Sequence, residues 1–310
     1  MLGLSRLFPK FTINFISLRK TSYAISLVMI TCSLTFALFT NFNYGIDFKG
    51  GTLVELRFSE PVDIATVRAK VGQLSKGASL QNFGQHNDIL AKLSDVFENS
   101  SERQIFMDKI IQDLPGNPSI RRVESIGPKV SAEAVLNAGF ATLMALLFML
   151  LYVWVRFEWH YGLCAIIALV HDSVCVFGLY SIFGMELNFT SIVAILITIG
   201  YSINDTVVIY DRLRDHAHLD IPLKKMINTA INDSLSRTLL TSLSTMISLF
   251  ALFFFGGPII STYSLPILVG VVVGTYSSIF IAAPLLFSFN AQIYRPIKPD
   301  VTNLPTELEV

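Results

Sequence analysis

Six apolar runs, each close to the twenty residues a helix needs to cross a bilayer, constrain this chain more than any other feature. They lie at 23–40, 132–155, 161–183, 189–210, 238–255 and 264–289. The stretch between the first and the second is different in kind. Residues 41–128 hold 21 of the 46 Asp, Glu, Lys and Arg residues, although only 15% of the 310 residues are charged. An ordinary soluble domain carries about 25% charge. The pattern predicts a polytopic α-helical membrane protein with six transmembrane helices and a soluble domain inserted between spans 1 and 2.

Charge placement orients the spans. Arg6, Lys10, Arg19 and Lys20 precede the first run with no acid among them, and Arg212, Arg214, Lys224, Lys225 and Arg237 fall in 211–237. Arg295 and Lys298 follow the last run. With six spans every basic segment lands on one side, which the positive-inside rule makes cytoplasmic. Residues 1–22 and 290–310 are then cytoplasmic termini, and 41–128 lies outside. The first run has no small-residue cleavage site and reads as an uncleaved anchor. A formal net charge of zero gives no global basic field for nucleic acid. Cys32, Cys164 and Cys175 sit in apolar runs as small hydrophobes, so neither a disulfide framework nor a metal site is expected.

The inserted stretch reads β-α-β-β-α-β, the order of a ferredoxin-like α+β unit. Thr52, Val54, Leu56 and Phe58 alternate with Leu53, Glu55 and Arg57 at a strand's period of two. Asp63 is placed to cap a helix whose stripe is Ile64, Val67, Val71 and Leu74. LQNFG and DILAKLS read as two strands around a His86-Asn87 turn. Ser101 with Gln104 suggests a capping box, opening a helix with Ile105, Ile110, Ile111 and Leu114 inward. Pro115 to Pro118 end it, and SIRRVESIG is the last strand.

Polar groups inside the spans are the candidate site. Asp205 stands in an apolar run, six residues before Asp211. Arg237 opens the next run, followed by Thr241, Ser244 and Ser248 in one helical stripe. Buried ionisable groups in a membrane usually face the bundle interior and mark an ion or proton path. A static ion pair, or an arginine reaching to the interface, is the competing reading. His171 and Asp172 in span 3 read either as a hydrogen-bonding pair that holds the span or as a proton relay. Gly270, Gly274 and Ser278 offer a small-residue face for close packing.

Two segments carry a family resemblance. NYGIDFKGGTLVELRF after span 1, and the run from RFEWHYGLCAIIALVHDS through SINDTVVIYDRLRD to SRTLLTSLSTMISLF, are similar to the SecD/SecF family of translocase subunits. The short outer domain places the chain on the SecF side of that family. The resemblance implies a membrane fold of the resistance–nodulation–division type in the bacterial plasma (inner) membrane, with 41–128 as a periplasmic domain. It implies a heterodimer with SecD, work beside the SecYEG channel and the SecA motor on exported unfolded preproteins, and coupling to the proton gradient. It carries proton coupling to Asp205 and Arg237 and the outer motif to Asp47, Lys49, Gly50 and Gly51; His171, Asp172, Asn204 and Thr241 are candidate supporting polar groups within the spans. No cofactor, metal or enzymatic activity is implied, and the residues offer no nucleophile–base set: His171 and Asp172 lack a third partner. The alternative is half of a proton-driven exporter of small molecules or lipids. Against it stands a small outer domain without room of its own for a cavity of roughly 300–1,000 Å³.

Overall fold

The computed structural model describes residues 12–289 apart from 41, 83–86, 98 and 220. The tail 290–310, the basic residues Arg6 and Lys10, and His86 of the expected turn lie outside the described residues. Helix α1 (Phe15–Phe39) leads into a two-residue strand β1 (Asn43–Tyr44) and a single helical turn α2 (Ile46–Lys49). The inserted domain follows as β2 (Gly51–Arg57), α3 (Ile64–Leu74), β3 (Ser79–Asn82), β4 (Asp88–Leu93), α4 (Ser100–Asp113) and β5 (Ser119–Ile126). The chain then returns through α5 (Pro128–Arg156) and α6 (Trp159–Ile182), a short strand β6 (Glu186–Leu187), α7 (Phe189–Asp215), α8 (Leu223–Phe255), α9 (Gly257–Ser277) and α10 (Ala283–Ser288). Six helical segments are long and apolar enough to span a bilayer: α1, α5, α6, α7, α8 and the continuous 260–288 stretch.

In the inserted domain all neighbouring strands are antiparallel, in the order β3-β4-β2-β5. The period-two expectation holds: Thr52, Val54, Leu56 and Phe58 are buried, the last three against Val67 and Val71 of α3 and Ile110 of α4. Asp63 caps α3, accepting from the amides of Ala65 and Thr66 at 3.2 Å. The expected capping box at Ser101 does not form. Helix α4 starts at Ser100, two residues earlier than a cap at Ser101 would start it, with Asn99 at the cap position, and Asn99 Nδ2 donates to Glu102 Oε1. Ile105 points outward at 70% exposure, and Met107 is in the core instead.

One buried charge in this domain was not read from the sequence. Asp88 is 4% exposed at the start of β4. Arg57, its partner across the ladder, donates from Nε at 2.6 Å. That hydrogen bond holds the Asp88 carboxyl below the usual carboxylate range. The stabilisation is therefore complete above the unfolded-state value of about 4 and is lost as pH falls through the lower folded-state value. Asp88→Asn is expected to raise hydrogen exchange in β2 and β4 several-fold at pH 7 and to flatten the domain's acid sensitivity. Unchanged exchange at pH 7 would show the pair to be idle.

The helix ends differ from the sequence expectation in an instructive way. Span 1 begins at Phe15 rather than Tyr23, because Phe15 and Ile16 are buried in the bundle and Asn14 caps the helix through Ser17 N. Part of the expected cytoplasmic segment 1–22 is therefore helical. The basic stretch 211–237 is mostly helix as well: α7 runs to Asp215, and α8 starts at Leu223 rather than Thr238. Met226, Ile227, Ala230, Ile231 and Ser234 continue a buried helical stripe across that stretch. Asn228 and Asn232 on it accept from the backbone amides of Ile16 and Ile13. The turn expected at GMELN contains β6, which pairs in parallel with β1. The last span carries a π-helical segment, Ser278–Ala282, within its continuous helix. Pro284 follows, and its missing N–H and ring disturb the ladder there.

A cleft of about 630 Å³ lies between the sheet of the inserted domain and the near ends of the helices. Leu53, Leu90, Lys92, Tyr180, Phe183 and Tyr263 are among its lining residues. The domain alone is small, as the sequence suggested, but the junction supplies the volume the domain lacks, so cavity size does not exclude a bound molecule.

Candidate functional site within the helix bundle

Helix α7 crosses the middle of the bundle and presents its polar residues to α6, α8 and α9. Its start is fixed by a reciprocal cap: Ser191 N donates to Asn188 Oδ1, and Asn188 N donates to Ser191 Oγ, both at 3.1 Å. The approach of α9 depends on glycine. A Cβ on Gly270 would fall 2.0 Å from Thr198 Oγ1, and one on Gly274 would fall 2.9 Å from Ser202 Cβ. One turn on, Ser278 Oγ donates to Ser202 O at 3.1 Å and meets Thr206 Oγ1 at 2.8 Å. The small-residue face expected at 270, 274 and 278 is thus the α7–α9 seam.

Two carboxylates are buried along that seam and are held very differently. Asp172, on α6, has no exposed surface. Its Oδ1 lies 2.9 Å from His171 Nδ1, while Oδ2 accepts from Ser202 Oγ at 2.6 Å and Ser277 Oγ at 2.7 Å. One side chain therefore ties α6 to α7 and α9. The adjacent residues His171 and Asp172 bond to each other, which a simple 100° separation on the helix did not suggest.

Asp205, on α7, is 2% exposed. Its contacts are Ser242 Oγ of α8 and Thr275 Oγ1 of α9, both 3.5 Å from Oδ2, the outer limit of a hydrogen bond. Each hydroxyl has one proton. Ser242 has Thr238 O at 2.8 Å, Thr275 has Val271 O at 2.8 Å, and the two hydroxyls lie 2.7 Å apart. The shorter bonds claim the protons, so Asp205 is enclosed by polar groups that do not hold it. Tyr201 OH reaches Ser242 Oγ at 3.3 Å and extends the cluster.

Arg237 is within electrostatic reach of Asp205 but makes no direct contact with it. It lies five residues before Ser242 on α8, about 7.5 Å along the axis, on an exposed face. Among the described residues no ion pair joins it to Asp205. Helix α8 begins so much earlier than expected that Arg237 is mid-helix rather than at the opening of a span. Thr241, Ser244 and Ser248 share the exposed face. Thr241 and Ser248 return their hydroxyls to carbonyls of their own helix, Arg237 O and Ser244 O, at 3.1 Å. Asn204 is exposed on α7, turned away from the Asp205 cluster. Ser242, Thr275 and Ser277 were missed by the sequence reading, since lone hydroxyls in apolar runs carry no signal until the helices are paired.

The motif at 45–51 forms a second cluster, at the junction of bundle and inserted domain. Gly50 and Gly51 have φ of +78° and +145°, which side-chain-bearing residues rarely adopt. A Cβ on Gly51 would also lie 2.5 Å from Leu93 O. Asp47 Oδ2 accepts from Phe189 N at 3.1 Å, and Ser131 Oγ of α5 donates to Ile46 O at 3.2 Å. Lys49 is exposed, with Nζ 5.4 Å from the centre of the Tyr44 ring.

Comparison with known proteins bears on both clusters. Residues 107–292 match the family model described as protein export membrane protein SecD/SecF, C-terminal, and residues 37–62 match that of the SecD/SecF GG motif. The chain is 37% identical over 290 residues to the protein translocase subunit SecF of Rickettsia felis, covering 92% of this chain and 94% of that one. It is 36% identical over 306 residues to SecF of Desulfurispirillum indicum, covering 96% and 98%. Among solved structures it is similar to SecDF, a translocon-associated membrane protein from Thermus thermophilus, with a TM-score of 0.79 and 33% identity. A second SecDF structure, in a super-membrane-facing form, gives a TM-score of 0.66. The chain spans 94% of its own length in the first match but only 40% of the SecDF chain.

Proposed function

The chain belongs to the SecD/SecF family of protein-export membrane proteins, on its SecF side, and from that premise we propose that it is the SecF half of a proton-driven auxiliary complex of protein export. It is a multi-pass inner-membrane protein. Its relatives are named as translocase subunits, so the exporter of small molecules or lipids is set aside. The inserted domain is read as ferredoxin-like and periplasmic, with both termini cytoplasmic; the antiparallel order β3-β4-β2-β5 and the basic residues around 211–237 support that reading. The complex is read as working beside SecYEG and SecA on unfolded preproteins.

The observation that carries the mechanism is the contrast between two buried carboxylates. Asp172 is fixed by three hydrogen bonds of 2.6–2.9 Å. Asp205 is equally enclosed but reached only at 3.5 Å. A group that must gain and lose a proton in a cycle cannot be locked in one state by its neighbours. Asp205 is therefore assigned the exchanging proton, and Asp172 the anchor. Each proton crossing the membrane delivers about 2.3 kcal/mol per 100 mV, so a few protons suffice for a sizeable rearrangement.

The partner is assigned to the exposed face of α8. Arg237 on a lipid-facing surface is costly, while Ser244 and Ser248 allow a neighbouring helix to approach closely. SecD helices seated there would cover Arg237 and complete the proton path, which this chain leaves open on that side. In mild detergent the tagged protein should co-purify with SecD, and Ser244→Trp should lower the yield of complex at least fivefold while leaving the amount of this subunit unchanged. A complex that tolerates the tryptophan would move the interface elsewhere, and a functional protein free of SecD would remove the proposal.

A further inference from the structure

We propose that Asp47 is a positioning residue that fastens the inserted domain to the first turn of α7, so that movement of the domain is transmitted along α7 to Asp205; the last step rests on the proton-carrying role assigned to Asp205 above.

The tie is built from several independent contacts. Strand β1 pairs in parallel with β6, immediately before α7. Gly45 N donates to Leu187 O at 2.7 Å, and the approach is close: a Cβ there would lie 3.2 Å from both Leu187 O and Asn188 Cβ. Helix α2 then sets the Asp47 carboxylate on the amide of Phe189, the first residue of α7. Asn188 already serves Ser191 N, so Asp47 satisfies a different orphan donor of the same helix end. Its negative charge also meets the positive end of the helix dipole. Phe48 packs edge-on against Phe189, with ring centres 5.6 Å apart. Lys92 of β4 pairs with Glu186, and both side chains are less than a fifth exposed.

The other side of the tie leads straight into the sheet. Helix α2 is followed by Gly50 and Gly51, and Gly51 opens β2, a central strand of the domain. A displacement of the sheet therefore acts on α2 through the single residue Gly50 and on α7 through α2. Helix α7 is continuous over 27 residues. Asp205 lies 16 residues beyond Phe189, about 24 Å along it. A tilt of α7 imposed at its start changes the distances from Asp205 to Ser242 and Thr275, which belong to other helices. Asp205's own contacts are long and oppose the change little; the resistance comes from Ser202 and Thr206 on either side of it, which Asp172 and Ser278 hold. Coupling of this kind is reciprocal: the protonation state of Asp205 biases the position of the domain by the same free energy.

The test uses the complex with SecD in membrane vesicles and two readouts: hydrogen exchange over 186–195, and preprotein export with and without an imposed proton gradient. Asp47→Ala removes the acceptor. Phe189→Pro removes the donor at a position where proline is compatible with a helix, with Phe189→Ala as the control for the lost ring, and it serves if Asp47→Ala fails to accumulate. Both are expected to raise exchange roughly fivefold, the scale of a lost cap, and to lower gradient-stimulated export at least fivefold, with gradient-independent export and SecD binding unchanged. Asp47→Asn, which keeps an acceptor, should stay near wild type. Unchanged exchange would overturn the tie. Raised exchange with full stimulation would overturn the transmission, and so would an equal loss of stimulated and unstimulated export. Asp205→Asn is run in parallel: if it keeps its stimulation, Asp205 is not where the coupling ends, whereas the exchange readout still reports on the tie itself.

Discussion

Asp205→Asn is expected to accumulate and assemble with SecD at near wild-type levels while losing gradient-stimulated export by at least tenfold. The two halves of that expectation have separate causes. Asparagine matches the shape of a neutral carboxylic acid. Its Oδ1 can take the place of the oxygen that Ser242 and Thr275 reach at 3.5 Å. Those contacts are too long to contribute much, and the hydroxyl protons already have carbonyl acceptors at 2.8 Å. Among the described residues no direct ion pair to Asp205 is broken, the circumstance that makes loss of a buried pair cost several kcal/mol. The amide cannot release a proton, however, so every step that needs a carboxylate at this position stops. Asp205→Glu should recover part of the stimulation, at a packing cost of about 1–3 kcal/mol for the extra methylene. Measurement of subunit yield, SecD co-purification and gradient-stimulated export on the same membranes separates the two halves. Normal stimulated export in the asparagine variant would take Asp205 out of the mechanism.

How much of this was legible in the sequence follows from the range of each signal. The six spans and the period-two strand at 51–57 rest on local patterns, and the structure bears them out. Helix ends were less legible, because hydropathy marks where a helix meets lipid and not where it begins. Residues 15–22 and 223–237 carry charges on one face and bury Phe15, Ile16, Ile227 and Ile231 on the other, so a window average misses them. Asp205 and Asp172 stood out as carboxylates in apolar runs, but their difference did not. That difference is made by Ser202, Ser242, Thr275 and Ser277, from helices far apart in the chain. Asp47 was legible only as part of a motif. Its role depends on α7 starting beside it, some 140 residues later.

Asp172→Ala is expected to be the most destabilising of the substitutions considered, and to act on assembly rather than on proton coupling. Removing the carboxylate leaves Ser202 Oγ, Ser277 Oγ and His171 Nδ1 without an acceptor inside the bundle. They are not equally stranded. Ser277 can turn to Gly274 O at 3.0 Å. Ser202 has only Ser277 Oγ, at 3.4 Å, and His171 Nε2 has a weak contact with Cys175 at 3.7 Å. Interhelical hydrogen bonds in membranes average only about 0.6 kcal/mol, reaching about 1.7. Unsatisfied buried donors cost about 1–3 kcal/mol each. Two stranded donors plus the cavity then amount to roughly 3–5 kcal/mol, a large share of the 5–15 kcal/mol that holds a typical protein together. The yield of folded subunit should fall at least tenfold, and its thermal midpoint in detergent should drop. Asp172→Asn should be milder, because it still accepts on one side and serine hydroxyls can reverse to accept from its amide. The pair Asp172→Ala with Ser202→Ala should cost less than the sum of the single changes, since the second removes a donor the first has stranded. Export per assembled complex, and its response to the proton gradient, should be unchanged in Asp172→Asn. If that variant assembles fully yet loses its gradient response, Asp172 carries the proton after all, and the anchor and the carrier must exchange places.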